Sequence, residues 1–187
     1  GDGKTSMVDN LGTAFAADGQ KVLLIDANLR RPLLHKVFLN GDVEQSGCGL
    51  SELLMGKCSQ QEAIKQTPVE NLYIIEAGSM PEHPAELLGG KKMQQLIREK
   101  CGDYDYVLID GPPALLVSDA KMLARLVEGT VLVLNAETTR RGAAMRTIRE
   151  LREVKANVNG CVLFKAQAMK GGYFREQFRS YEKYQKP

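Results

Sequence analysis

Apolar residues in this chain come in blocks rather than in strict alternation with polar ones. Residues 21–26 (KVLLID) form an unbroken apolar run closed by a carboxylate. Residues 72–76 (LYIIE), 106–110 (YVLID), 130–135 (TVLVLN) and 160–164 (GCVLF) repeat the pattern. Short runs of this kind suit strands covered on both faces, as in a parallel sheet. Between them the apolar positions return every three or four residues. Met7, Leu11, Ala14 and Phe15 recur at helical spacing over residues 4–18, and Gly19 stops the run. Helices are also predicted over 50–56, 59–65, 84–100, 118–128 and 140–155. In the last, Ala144, Ile148, Leu151 and Val154 line one face and arginines the other. Strands alternating with helices predict a doubly wound α/β fold, a mostly parallel sheet with helices on both faces. Ligands of such sheets sit at the carboxyl ends of the strands, where Asp26 and Asp110 fall.

The character changes at the end of the chain. Residues 169–187 hold few aliphatics, many charges, and Tyr173, Tyr181 and Tyr184. They read as a tail beyond a domain spanning residues 1–168. Gly171 and Gly172 and the flanking charges favour an exposed segment, although the tyrosines could also anchor a terminal helix.

Length and composition narrow the options. At 187 residues the chain suffices for one domain with a substantial core. A net charge of +2 is too small to point to nucleic acid as a partner. Within these residues no apolar run approaches the roughly 20 of a membrane span and no secretory leader is read, and neither reading extends to the parent protein, whose N-terminus is expected to lie upstream. Cys48, Cys58, Cys101 and Cys161 are scattered, with no C-x-x-C, so buried free thiols are expected rather than disulfides or zinc ligands. His35 and His83 are isolated and read as structural.

The chemistry concentrates at the start. Gly1-Asp2-Gly3-Lys4-Thr5-Ser6 matches the end of the phosphate-binding pattern G-x-x-x-x-G-K-[ST]. In such loops glycines let successive N–H groups face phosphate oxygens, the lysine reaches the β- and γ-phosphates, and the hydroxyl ligates Mg²⁺. The first positions of the pattern would precede Gly1, so the sequence is expected to be a piece lacking its N-terminal part and first strand, and inactive alone. Residues 107–110 (VLID) have the form of a Walker B strand, whose carboxylate would hold Mg²⁺ opposite Thr5. Taken singly, Asp26 or Asp110 could merely cap a turn. Together with the loop they mark a nucleotide–Mg²⁺ site.

Residues 22–32 (VLLIDANLRRP), the 49–51 turn with Leu54 and Gly56, the stretch 77–88, and Asp110-Gly111-Pro112-Pro113 with Ser118-Asp119-Ala120 resemble, in order and spacing, the bacterial tyrosine autokinases of capsule and exopolysaccharide synthesis. The resemblance implies a P-loop kinase that moves the ATP γ-phosphate to tyrosines of a C-terminal tail, here Tyr173, Tyr181 and Tyr184, within a ring-shaped oligomer. It implies ATP and Mg²⁺ as cofactors. It also implies a membrane polysaccharide co-polymerase as partner, fused or separate, and a location at the inner face of the plasma membrane. Lys4 would bind phosphate, Thr5, Asp26 and Asp110 would serve Mg²⁺, and Asp26 would accept the tyrosine proton. Arg30 and Arg31 are left between phosphate contact, subunit contact and plain solvation, and Asp119 between helix cap and catalysis.

Three features depart from the family pattern. Asn28 replaces a second acid, Phe164 stands at a candidate adenine-reading position often held by Asn, and the tyrosine cluster is sparse. The alternatives are a positioning ATPase of the septum-placement or chromosome-partitioning type, and a catalytically weak ATP-binding regulatory subunit.

Overall fold

A computed structural model of the chain describes residues 3–38 and 47–166. The elements run α1 (Lys4–Ala17), β1 (Val22–Asp26), α2 (Leu34–Phe38), α3 (Leu50–Met55), α4 (Gln60–Ala63), β2 (Ile64–Gln66) and β3 (Leu72–Ile75). They continue with α5 (Pro84–Gly89), α6 (Lys91–Asp103), β4 (Tyr106–Asp110), α7 (Asp119–Ala124), β5 (Thr130–Asn135), α8 (Arg141–Glu153) and β6 (Val158–Phe164).

The core is organised by β1, all five of whose residues are buried. Side chains alternate across a strand, so one run of aliphatics feeds two layers. Leu23 and Ile25 join Leu50, Leu54, Leu88, Met93, Leu96 and Ile97 from α3, α5 and α6. Val22 and Leu24 join Ala16 of α1, Leu34, Leu72 and Ile74 on the opposite side. Both faces are therefore covered by helices, and full burial of each such aliphatic contributes about 1.5–3 kcal/mol.

The strands form a four-stranded sheet ordered β2-β3-β1-β4 and a two-stranded sheet of β5 and β6. β1 runs parallel to β3 and β4, and β5 parallel to β6. Among the described residues no ladder joins β4 to β5. A separate small cluster of Ala124, Leu151 and Ala156 fastens α7 and α8 near the second sheet.

Several local expectations are corrected. Residues 59–65 do not form one helix. Ser59 and Glu62 make a capping box that starts α4, after which Ile64 turns extended and β2 pairs antiparallel to the edge of β3. Lys65 then reaches Glu76 across that pair. The predicted 84–100 helix is two helices, because Gly90 adopts an extended conformation between them. Helix α2 had no counterpart in the sequence reading, and α7 is shorter than expected.

The cysteines differ most from expectation. Cys48 and Cys58 form a disulfide across α3, with Cα atoms 6.0 Å apart. The chain leaves α3 through Gly56 in the left-handed region, φ 77°, which returns Cys58 towards the start of the helix. Cys101 and Cys161 are free but exposed rather than buried.

Candidate functional site

The parallel ladder places Asp26 directly opposite Asp110, at the carboxyl ends of adjacent strands. Both are buried, at 0% and 1% exposure, although each is the polar end of an apolar run. The backbone ties the two exits together, since Ala27 N–H donates to the Asp110 carbonyl at 3.0 Å.

Asp26 is held by the turn that follows it. Its Oδ1 accepts from the Asn28 N–H, and its Oδ2 from the N–H groups of Leu33 and Leu34, each at 3.1 Å. Burial raises its pKa to about 6, and the neighbouring Asp110 charge pushes the same way against those three backbone donors. Asp110 is also raised by burial, while the Thr5 hydroxyl and the Lys4 charge oppose the shift.

The loop meets this pair from α1. Thr5 Oγ1 donates to Asp110 Oδ2 at 2.6 Å. Asp110 Oδ1 is buried and has no hydrogen-bond partner among the described residues. A buried carboxylate oxygen left unmatched beside a hydroxyl and a second carboxylate is a fitting position for a hard divalent cation. No group of three or more His, Cys, Asp or Glu residues able to hold a metal occurs among the described residues. The donor set here is instead two carboxylates and a hydroxyl, leaving further positions for water and phosphate oxygens, as suits Mg²⁺.

Gly3 caps α1 at φ 87°. A Cβ on it would lie 2.6–2.8 Å from ring carbons of Phe164, so backbone conformation and close approach both demand glycine there. The end of β6 thus packs its aromatic ring on the phosphate loop, a contact the sequence did not disclose. Ser6 is exposed, and Gly1 and Asp2 lie outside the described residues, as do Tyr173, Tyr181 and Tyr184.

The residues around the site settle several alternatives. Asn28 Nδ2 donates to the Arg31 carbonyl at 2.9 Å, so this amide closes the turn after β1. Asp119 does not act as a helix cap: both its oxygens accept from Arg30, at 2.8 and 3.2 Å. Tyr106 stacks on Phe15, and Tyr104 meets Tyr73 edge-on, which accords with packing roles. A groove of about 420 Å³ along α8, lined by Met145, Ile148, Arg149, Arg152 and Glu153, contains none of the site residues. No helix among the described residues is long and apolar enough to cross a membrane.

Comparison with known proteins bears on this geometry. The family model described as AAA domain matches residues 1–160. Tyrosine-protein kinase YwqD of Bacillus subtilis (strain 168) is 36% identical over 163 residues, covering 87% of this chain and 67% of its own length. The solved kinase domain of the Escherichia coli tyrosine kinase ETK superposes with a TM-score of 0.83 at 32% identity, over 92% of this chain and 66% of that one. The septum site-determining protein MinD of Pyrococcus horikoshii OT3, solved with Mg-ADP, gives a TM-score of 0.72 at 29% identity, over 87% of this chain and 65% of its own. The P-loop-type α/β fold is therefore shared with a tyrosine kinase domain and with a septum site-determining protein solved with Mg-ADP. By sequence, the chain belongs to the bacterial tyrosine-protein kinases, within the AAA-domain family.

Proposed function

We propose that this chain is the catalytic domain of an ATP-dependent protein-tyrosine autokinase that regulates capsular or exopolysaccharide synthesis and export. The observation that carries the reading is the Thr5–Asp110 hydrogen bond beside the unpartnered Asp110 Oδ1, with Asp26 alongside. Mg²⁺-bound ATP would supply the transferable phosphoryl group and neutralise the charge that builds during transfer. Thr5, Asp110 and Asp26 would hold the cation, and Lys4 would hold the phosphates as a point charge. Asp26, buried at the end of β1 opposite Asp110, would take the proton of an attacking tyrosine hydroxyl. The acceptors are Tyr173, Tyr181 and Tyr184 in the 169–187 tail, offered to a neighbouring subunit in a ring oligomer. The partner is a membrane polysaccharide co-polymerase, fused or separate, which places the kinase at the inner face of the plasma membrane.

The likeness to MinD supports a second reading, a nucleotide-switched positioning ATPase. Incubation of the full-length protein with γ-labelled ATP and Mg²⁺, beside a Lys4→Met variant, separates the two. Label on the C-terminal tyrosines that disappears with Lys4→Met is the expected result. Free phosphate without labelled protein would favour the switch, and neither product would leave only a nucleotide-binding regulatory subunit.

A further inference from the structure

We infer that Arg30 is a positioning residue for the Mg²⁺ site, acting through Asp119 as a latch across the two segments that carry Asp26 and Asp110. The inference rests on the nucleotide–Mg²⁺ reading of the site and goes beyond it by assigning work to a pair that touches neither metal nor phosphate.

Three observations carry it. The pair is two-pronged, Nε and the second guanidinium nitrogen each meeting a different oxygen of Asp119. A planar fork against a carboxylate fixes orientation as well as distance. Asp119 is 1% exposed at the start of α7, whereas the side chain of Arg30 is 37% exposed, so the arginine reaches inward to match a buried charge. The pair also bridges segments that need bridging. Arg30 follows Asp26 by four residues, and Asp119 follows Asp110 by nine through a segment that exposes Leu115 and Leu116. Near the strands, the Ala27–Asp110 backbone bond ties the two segments, and farther out the Arg30–Asp119 pair closes them again. Two ties at different distances from the sheet resist rotation of one segment against the other. That rotation would separate the two carboxylates.

Groups that orient metal ligands from behind commonly change metal affinity by about 10–100-fold when removed. A salt bridge that merely stabilises the fold would lower the melting temperature and leave the metal dependence alone. The test is binding of a fluorescent ATP analogue to the full-length protein, titrated with Mg²⁺ and repeated in EDTA. Arg30→Gln is expected to raise the Mg²⁺ concentration for half-maximal binding by about tenfold, with affinity in EDTA within about twofold of wild type. Arg30→Lys should fall between, because it keeps the charge and loses the fork.

Arg30→Gln strands a buried carboxylate and could fail to fold, so Asp119→Asn is the second variant. It removes the buried charge and leaves only a half-exposed arginine, and it should reproduce the Mg²⁺ shift. An unshifted Mg²⁺ midpoint in Asp119→Asn, or an equal loss of affinity in EDTA, would overturn the latch. Wild-type protein that binds the analogue with Mg²⁺ but labels no tyrosine would sink the kinase reading and leave the latch standing on its binding result. Wild-type protein that binds no analogue at all would sink both.

Discussion

Asp26 concentrates the cost of the site in a single side chain. It is fully buried, opposite another carboxylate, and its pKa is raised from 3.8 to about 6. A group whose folded pKa lies above its unfolded value favours the fold while protonated. Its contribution is fully present below about pH 4 and is lost as pH rises through about 6, a span worth roughly 3 kcal/mol. In the protein without Mg²⁺ that contribution should fade between pH 4 and 7, so urea melts followed across pH should show wild type losing stability relative to Asp26→Asn over that range. A stability difference between the two proteins that stays constant over the same range would contradict the assignment. The aspartate itself was legible in the sequence, since a carboxylate ending an apolar run after a Gly-Lys-Thr loop is a local pattern. The contacts around it were partly legible. Thr5 with Asp110 follows from how such loops hold cations, but Arg30 with Asp119 and Gly3 with Phe164 join residues 89 and 161 positions apart, which no local spacing encodes.

Among the elements, the apolar strands were easiest to foresee, because a run such as 130–135 is bounded by polar residues at both ends and is observed over those residues. Prediction failed where one residue overrode a continuous helical pattern, as Gly90 does between α5 and α6, or where an edge strand was available, as β3 is for residues 64–66. The Cys48–Cys58 link was hidden for a similar reason. Only the left-handed turn at Gly56 brings the two thiols together, and a separation of 10 carries no recognisable spacing. Closing a loop of that length restricts the unfolded chain by about 2–3 kcal/mol. Treatment with dithiothreitol, or the Cys58→Ser substitution, should lower the melting temperature by roughly 5–10 °C. The effect should be confined to oxidised protein, so identical melts before and after reduction would show that the pair does not bond in solution. The same region is tied without sulfur as well. Glu52 accepts from the N–H groups of Gly49 and Ser79, at 3.0 and 3.1 Å, so reduction should loosen α3 without detaching it from the end of β3.

At the scale of the whole molecule the layered architecture was readable from the alternation of element types, whereas the division into two sheets was not. That division has a material consequence. β4 hydrogen-bonds only to β1, and β5 only to β6, among the described residues. Tyr106, Val131 and Leu163 on these strands are 41%, 52% and 57% exposed. Strand edges left unpaired among the described residues, beside exposed apolar side chains, offer a template on which another chain can add its own strand. The 187-residue polypeptide should accordingly self-associate as its concentration rises, visible as a growing sedimentation coefficient, and Val131→Lys should suppress the growth. A constant sedimentation coefficient over the same range would mean that those rims are already capped. Storage and assay of this polypeptide at low micromolar concentration follow directly, since colloidal behaviour would otherwise be mistaken for specific assembly.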